Sequence, residues 1–180
     1  WRYAQYRREM PGLFQFISLF GLQLMPTLIV FTGCLSLYPV FFWDAPIGIL
    51  DLAGFLLTAG AIAIETAADE QLRAFRRTRK ERSQIMDSGL WGITRHPNYL
   101  GEITFWWGLA LFALSANRGF FVALSGPILM VLLFVFISIP LMEKHLRKNK
   151  PGYGEYARLV APLVPWFAPK EREEGSGGLS

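Results

Sequence analysis

Four long apolar blocks run through the chain and predict transmembrane helices at about 13–38, 46–70, 98–115 and 120–143. A bilayer core about 30 Å thick is spanned by about 20 apolar residues wound as a helix. Within it every backbone N–H and C=O must be satisfied without water, which a helix does by itself. The first block is uncharged and contains Pro26, which predicts a kink. The second opens near Pro46, a residue suited to a first helical turn, and its apolar face runs on into the charged stretch 65–82. The third follows Pro97. The fourth has Pro127 near its entry and passes into Glu143-Lys144-His145-Leu146-Arg147-Lys148. A buried helix of a soluble protein would account for any one block. With 18% charged residues in 180, against about 25% in soluble domains, too little polar surface remains to wrap four. The expected fold is all-α: a polytopic transmembrane bundle of about four helices, followed by a short amphipathic helix near Tyr153 and Tyr156.

Charge placement supports this and orients it. Of 18 Lys and Arg, three precede the first block, seven lie between the second and third, and seven follow the fourth; Arg118 stands alone between the third and fourth. Lys and Arg concentrate in cytoplasmic loops, so both ends of the chain and its middle loop are expected to face the cytoplasm. Tyr38, Trp43, Trp91 and Trp166 near block ends fit an interfacial aromatic belt. Alternation of basic and apolar segments argues against a nucleic-acid-binding face, which needs its basic residues together. Cys34 is the single cysteine, so neither an intrachain disulfide nor a cysteine-based zinc site can form.

At roughly 100–200 residues per domain, residues 1–170 read as one membrane domain and the Gly/Ser-rich 171–180 as a disordered tail. The polar, basic opening Trp1-Arg2-Tyr3 reads like a loop between two helices, with the expectation that N-terminal helices of a longer protein are missing. No cleavable signal-peptide pattern is present.

Ionisable groups near membrane depth are expensive and mark function by default. Glu65, Asp69, Arg73 and Arg76, spaced 4, 4 and 3, share one helical face. They form either a self-satisfied salt-bridge ladder or a ligand stripe, in which carboxylates accept from ribose or amide groups and Arg forks grip phosphate. In the segment 89–102, Pro97 would start a helix whose first free N–H groups open beside Arg95 and His96, a ready anion site. His96 alone reads as a hydrogen-bonded cap; Asn98 and Glu102, four apart, make the group a candidate site. Around Glu143, Lys144 and Arg147 are a snorkelling basic collar, which has no need of Glu143. Tyr153 and Tyr156 would stack on an aromatic base or lie at the interface. There is no Gly-x-Gly-x-x-Gly after a strand and no Walker loop. His96 and His145 are poorly spaced for a metal.

Gly89-Leu90-Trp91-x-x-x-Arg95-His96-Pro97-Asn98-Tyr99-x-Gly101-Glu102 resembles a motif of membrane steroid and sterol reductases, closest to the bacterial branch of the 3-oxo-5α-steroid 4-dehydrogenase (steroid 5α-reductase) family. The resemblance extends to the opening residues 1–8, the stripe 65–76, Pro140-Leu141-x-Glu143-Lys144 and Pro151-Gly152-Tyr153-x-x-Tyr156. It implies a bacterial inner-membrane protein whose helices bind NADPH. Asp69, Arg73 and Arg76 would lie on the phosphate and ribose side. Arg95, His96, Asn98, Tyr99 and Glu102 would line the pyrophosphate-to-nicotinamide region, and Glu143, Tyr153 and Tyr156 would close the pocket. Glu65 and Trp91 complete the implied cofactor-binding set, with Tyr99 and Glu102 as catalytic candidates. The implied reaction is NADPH-dependent reduction of a carbon–carbon double bond in a lipid-soluble, steroid-like enone, with this chain as the cofactor-binding half. Glu65 and Glu143 stand where animal 5α-reductases carry a neutral amide and a histidine-rich stretch. Arg-His-Pro also occurs in isoprenylcysteine carboxyl methyltransferases and phospholipid methyltransferases, so an S-adenosylmethionine-dependent methyltransferase is the alternative. A non-enzymatic membrane scaffold is the second.

Overall fold

The computed structural model describes residues 7–8 and 10–164. The opening six residues, Trp166 and the tail 171–180 lie outside them. Four helices are long and apolar enough to cross a membrane: α1 (Phe14–Phe42), α2 (Ile49–Thr78), α4 (Pro97–Ala116) and α5 (Phe121–Asn149). Among the described residues two short helices, α3 (Leu90–Ile93) and α6 (Tyr153–Leu159), accompany them. Among the described residues there is no strand, and the single extended pairing is an isolated bridge between Thr94 and Ala161.

The all-α membrane architecture expected from the sequence is therefore present, with helices that run further than the apolar blocks. Helix α2 continues to Thr78 and α5 to Asn149, because the charged stretches 65–77 and 143–149 keep good helix formers in phase with the apolar face. At its other end α2 starts at Ile49 rather than Pro46. There the Asp51 carboxylate accepts the Gly48 N–H at 2.8 Å, satisfying a donor the helix start would leave open. The same carboxylate accepts the Ser115 hydroxyl at 2.5 Å.

The kink expected at Pro26 takes the form of a widened helix. Residues Ile17–Leu24 are wound as π-helix, and the Met25 N–H reaches back to the Phe20 carbonyl. Leu133–Ser138 does the same just before Pro140, with Ile139 N–H donating to the Phe134 carbonyl. Proline lacks an N–H and its ring crowds the carbonyl four residues back; a wider turn ahead of it relieves the crowding.

The chain falls into two compact units, Trp1–Thr58 with Trp106–Val131, and Ala59–Phe105 with Leu132–Ser180. The first is held by close backbone approach. A Cβ on Gly126 would collide with the Gly33 backbone, one on Gly33 with the Trp106 ring, and one on Gly54 would stand 3.0 Å from the Gly108 carbonyl. Lipid supplies no hydrophobic drive between helices, so packing of small residues takes over that role. Ala110, Ala113 and Ala123 are fully buried beside Phe120 and Leu124. Phe31, Phe41 and Phe136 point outward, as apolar side chains do when the solvent is hydrocarbon.

The second unit is held by polar contacts as well. A Cβ on Gly101 would lie 2.9 Å from Glu65 Cβ and 3.0 Å from the Ala61 carbonyl, so α2 and α4 pack backbone to backbone there. Tyr153, Tyr156 and Ala157 of α6 are buried with Ile85, Leu146 and Val160 around them.

Candidate functional site

The second unit is built around the segment 89–97, and each residue of that segment has a local reason. Gly89 adopts φ +61°, a left-handed conformation that side chains resist, and a Cβ there would meet Gln71 Oε1 at 2.6 Å. That oxygen accepts the Leu90 N–H at 3.0 Å. Trp91 donates its indole N–H to the Ala68 carbonyl of α2 at 3.0 Å, and its own carbonyl accepts the Tyr156 hydroxyl at 2.5 Å. Trp91 is thus tied into the protein through both its indole and its carbonyl. Backbone N–H of Arg95 donates to the Ala161 carbonyl at 2.8 Å, and the Thr94 hydroxyl to that of Pro162 at 3.1 Å.

Beside it lies a buried charge cluster. Arg95 donates through Nε to Glu143 Oε1 at 2.8 Å and holds Nη2 at 2.8 Å from the same oxygen. Its Nη1 donates to the carbonyls of Ala157 and Val160. His96, 4% exposed, has Nε2 at 3.4 Å from Glu143 Oε1. Its ring stacks on Tyr99 at 5.2 Å, and Tyr99 in turn meets Phe134 at 4.4 Å. The anion that Arg95 and His96 hold is therefore the protein's own Glu143. Arg95 acts as an anchor for α6 and the segment after it, with every nitrogen of its guanidinium engaged.

Against this cluster the second unit encloses a cavity of about 510 Å³, within the usual range of roughly 300–1,000 Å³ for small-molecule sites. Leu72, Phe75, Ile85, Met86, Met142 and Leu146 give it an apolar wall. Its polar lining comes from Trp91, Arg95, His96, Asn98, Tyr99, Tyr153 and Tyr156, and from the cations Arg76, Arg79 and Lys150. Among the described residues no carboxylate is in the lining. Among the described residues none of those three cations pairs with an acid, although Lys150 Nζ donates to the Gln84 carbonyl at 2.5 Å. Burial, then the Arg79 and Arg76 charges, hold the Lys150 ammonium below the ordinary lysine range. This concentration of uncompensated positive charge beside an apolar wall suits an anion with an apolar or aromatic body.

Burial, with a contribution from Glu143, pushes the Tyr153 hydroxyl up to about 12, and burial raises Tyr156 as well. Both stay protonated at neutral pH. Tyr156 has its partner in Trp91, whereas the buried Tyr153 hydroxyl has none among the described residues.

Of the residues the sequence pointed to, the cavity gathers Arg76, Trp91, Arg95, His96, Asn98, Tyr99, Tyr153 and Tyr156. Glu143 stands behind Arg95 and His96. Asp69 and Arg73 lie outside the lining on exposed positions of α2, and Arg73 pairs with Glu70 rather than with a ladder partner. Glu65 and Glu102 are half-buried at the α2–α4 contact beside Gly101, within electrostatic reach of each other and not in the lining. Arg79 and Lys150 were missed as ligand groups because the sequence presents them as ordinary members of basic runs. The one signal available was that Arg79 follows Arg76 by one helical turn. Among the described residues no cluster of three or more metal-ligating side chains occurs.

The family described as "Protein of unknown function (DUF1295)" matches residues 1–160. No curated protein and no solved structure matches the chain.

Proposed function

The chain belongs to the DUF1295 family, membrane proteins distantly related to steroid 5α-reductases, and on that basis we propose that it is an integral membrane NADPH-dependent reductase of a carbon–carbon double bond in a lipid-soluble enone. The observation that carries this reading is the set Arg76, Arg79 and Lys150, without acid partners among the described residues, at one cavity with an apolar and aromatic wall. Such a lining fits a phosphorylated dinucleotide: the cations take the phosphates, and the aromatic and apolar side chains take the rings. It discriminates against S-adenosylmethionine, which carries no phosphate and brings a sulfonium charge of the wrong sign.

NADPH, when bound, supplies the hydride. The chain's own residues hold and orient. Arg95 and Glu143 fix α6 and the start of α4, so that Asn98, Tyr99 and Tyr153 are presented to one space. In this reading the resemblance to bacterial relatives supplies the inner membrane, and the placement of Lys and Arg favours both ends of the chain toward the cytoplasm. The dinucleotide then arrives from the aqueous side and the apolar substrate from the bilayer.

The test is thermal unfolding of the detergent-purified protein with NADPH, NADH and S-adenosylmethionine separately. Ligand at 100 times Kd stabilises by about 2.7 kcal/mol, which at about 2–4 °C per kcal/mol for this size raises Tm by about 5–10 °C. A rise with NADPH, lost on Arg76→Gln with Arg79→Gln, is the expected result. A rise with S-adenosylmethionine alone moves the assignment to a methyltransferase. No rise with any of the three, repeated on a longer chain carrying further N-terminal helices, leaves the scaffold reading.

A further inference from the structure

Two tyrosines of α6 line the cavity, and their hydroxyls are in opposite situations. Tyr156 donates to the Trp91 carbonyl at 2.5 Å. Tyr153, 3% exposed, has no hydrogen-bond partner for its hydroxyl among the described residues. Buried hydroxyls in proteins are almost always partnered, since leaving one unpaired forfeits its hydration for nothing. Phenylalanine would avoid that cost and keep the packing. The ring already has its contacts, edge-on to Tyr156 at 5.7 Å and under the Arg147 guanidinium at 5.9 Å. The hydroxyl is therefore the part of the side chain that the apo fold does not explain.

The surroundings indicate what it is kept for. Among the described residues the cavity lining contains no carboxylate, so no acidic side chain of that lining accepts from this hydroxyl. Arg76, Arg79 and Lys150 set a positive field in the same space. An acceptor from outside, carrying negative charge on oxygen, satisfies both at once. We propose that the Tyr153 hydroxyl reads the bound ligand, donating its hydrogen bond to an oxygen of a phosphate-bearing molecule held by those cations. The identity of that molecule as a dinucleotide rests on the function proposed above; the orphaned hydroxyl is independent of it. The high pKa of the group, about 12, makes it a permanent donor rather than a base.

Tyr153→Phe and Tyr156→Phe, made in the full chain, test this by thermal unfolding and by direct binding of NADPH and of inorganic pyrophosphate. Without ligand, Tyr153→Phe is expected to melt at or above the parent temperature, and Tyr156→Phe below it, since only Tyr156 loses a bond made within the protein. With ligand, Tyr153→Phe is expected to bind roughly tenfold more weakly, the loss of one hydrogen bond to a charged acceptor. If Tyr153→Phe lowers the unliganded Tm as much as Tyr156→Phe does, its hydroxyl has a structural partner and the proposal is overturned. Equal affinity of parent and Tyr153→Phe for every ligand that binds overturns it too. A pyrophosphate response weakened in Tyr153→Phe, with no NADPH response in the parent, keeps the role of Tyr153 and removes the dinucleotide. Silence toward both ligands overturns both.

Discussion

Replacing Arg95 by methionine separates an anchoring role from a ligand-gripping one. The guanidinium makes two contacts of 2.8 Å to Glu143 Oε1, and Nη1 serves two carbonyls, Ala157 and Val160. The side chains of Arg95 and Glu143 are 9% and 14% exposed, so solvent screening is small. Methionine fills most of the volume and leaves Glu143 with His96 at 3.4 Å and the exposed Arg147 at 3.9 Å. Removing one partner of a buried ion pair costs about 3–5 kcal/mol, because the other charge is stranded. At about 2–4 °C per kcal/mol, Tm should fall by roughly 6–20 °C. The double variant Arg95→Met with Glu143→Met should recover part of this, since no charge is then left buried. The assay is thermal unfolding in mild detergent without ligand, followed by circular dichroism. Should Arg95→Met melt within about 2 °C of the parent while losing its response to NADPH, the anchoring argument would be wrong and Arg95 would belong with the phosphate-binding cations.

Gly101→Val should destabilise by about 1–3 kcal/mol, the usual range for overpacking, because even its Cβ would stand 2.9 Å from Glu65 Cβ; the same unfolding assay measures it. Arg79→Gln should weaken NADPH binding by about tenfold or more, one charge-assisted contact being worth about 1.5–3 kcal/mol, with little change in unliganded Tm. Equilibrium binding checks this, and an unchanged Kd would remove Arg79 from the site. Lys150 gives a pH signature. Its pKa lies below the ordinary 10.5 in the free protein, so the unfolded chain holds more protons between those two values and unliganded stability should rise with pH across that window. An anion beside Lys150 favours its charged form, so NADPH binding should take up a proton and weaken as pH rises through the same window. Lys150→Gln should flatten both profiles.

The number and nature of the spans were legible in the sequence because crossing a bilayer is a one-dimensional requirement of length and hydropathy that each segment meets alone. Pro97 at the start of α4 is local in the same sense: ring sterics act on the nearest residues. The polar stripe of α2 was only half legible. Spacing of 3 and 4 does put Glu65, Asp69, Arg73 and Arg76 on one face, but a face is wider than a cavity, and only Arg76 of the four reaches the lining. Arg95 shows the limit most clearly. Its motif marks it as important, yet whether a guanidinium grips a ligand or the protein depends on carbonyls 62 and 65 residues away and a carboxylate 48 away. Lys150 likewise looks like any snorkelling lysine until Ile85, Met86, Arg76 and Arg79 are brought around it. Sequence alone determined which segments are long apolar helices and that charge sits at their ends, since those follow from solvation of each segment. Tertiary structure decided which charges neutralise one another and which stay unpaired, because Coulomb and hydrogen-bond energies depend on distances that no spacing along the chain fixes.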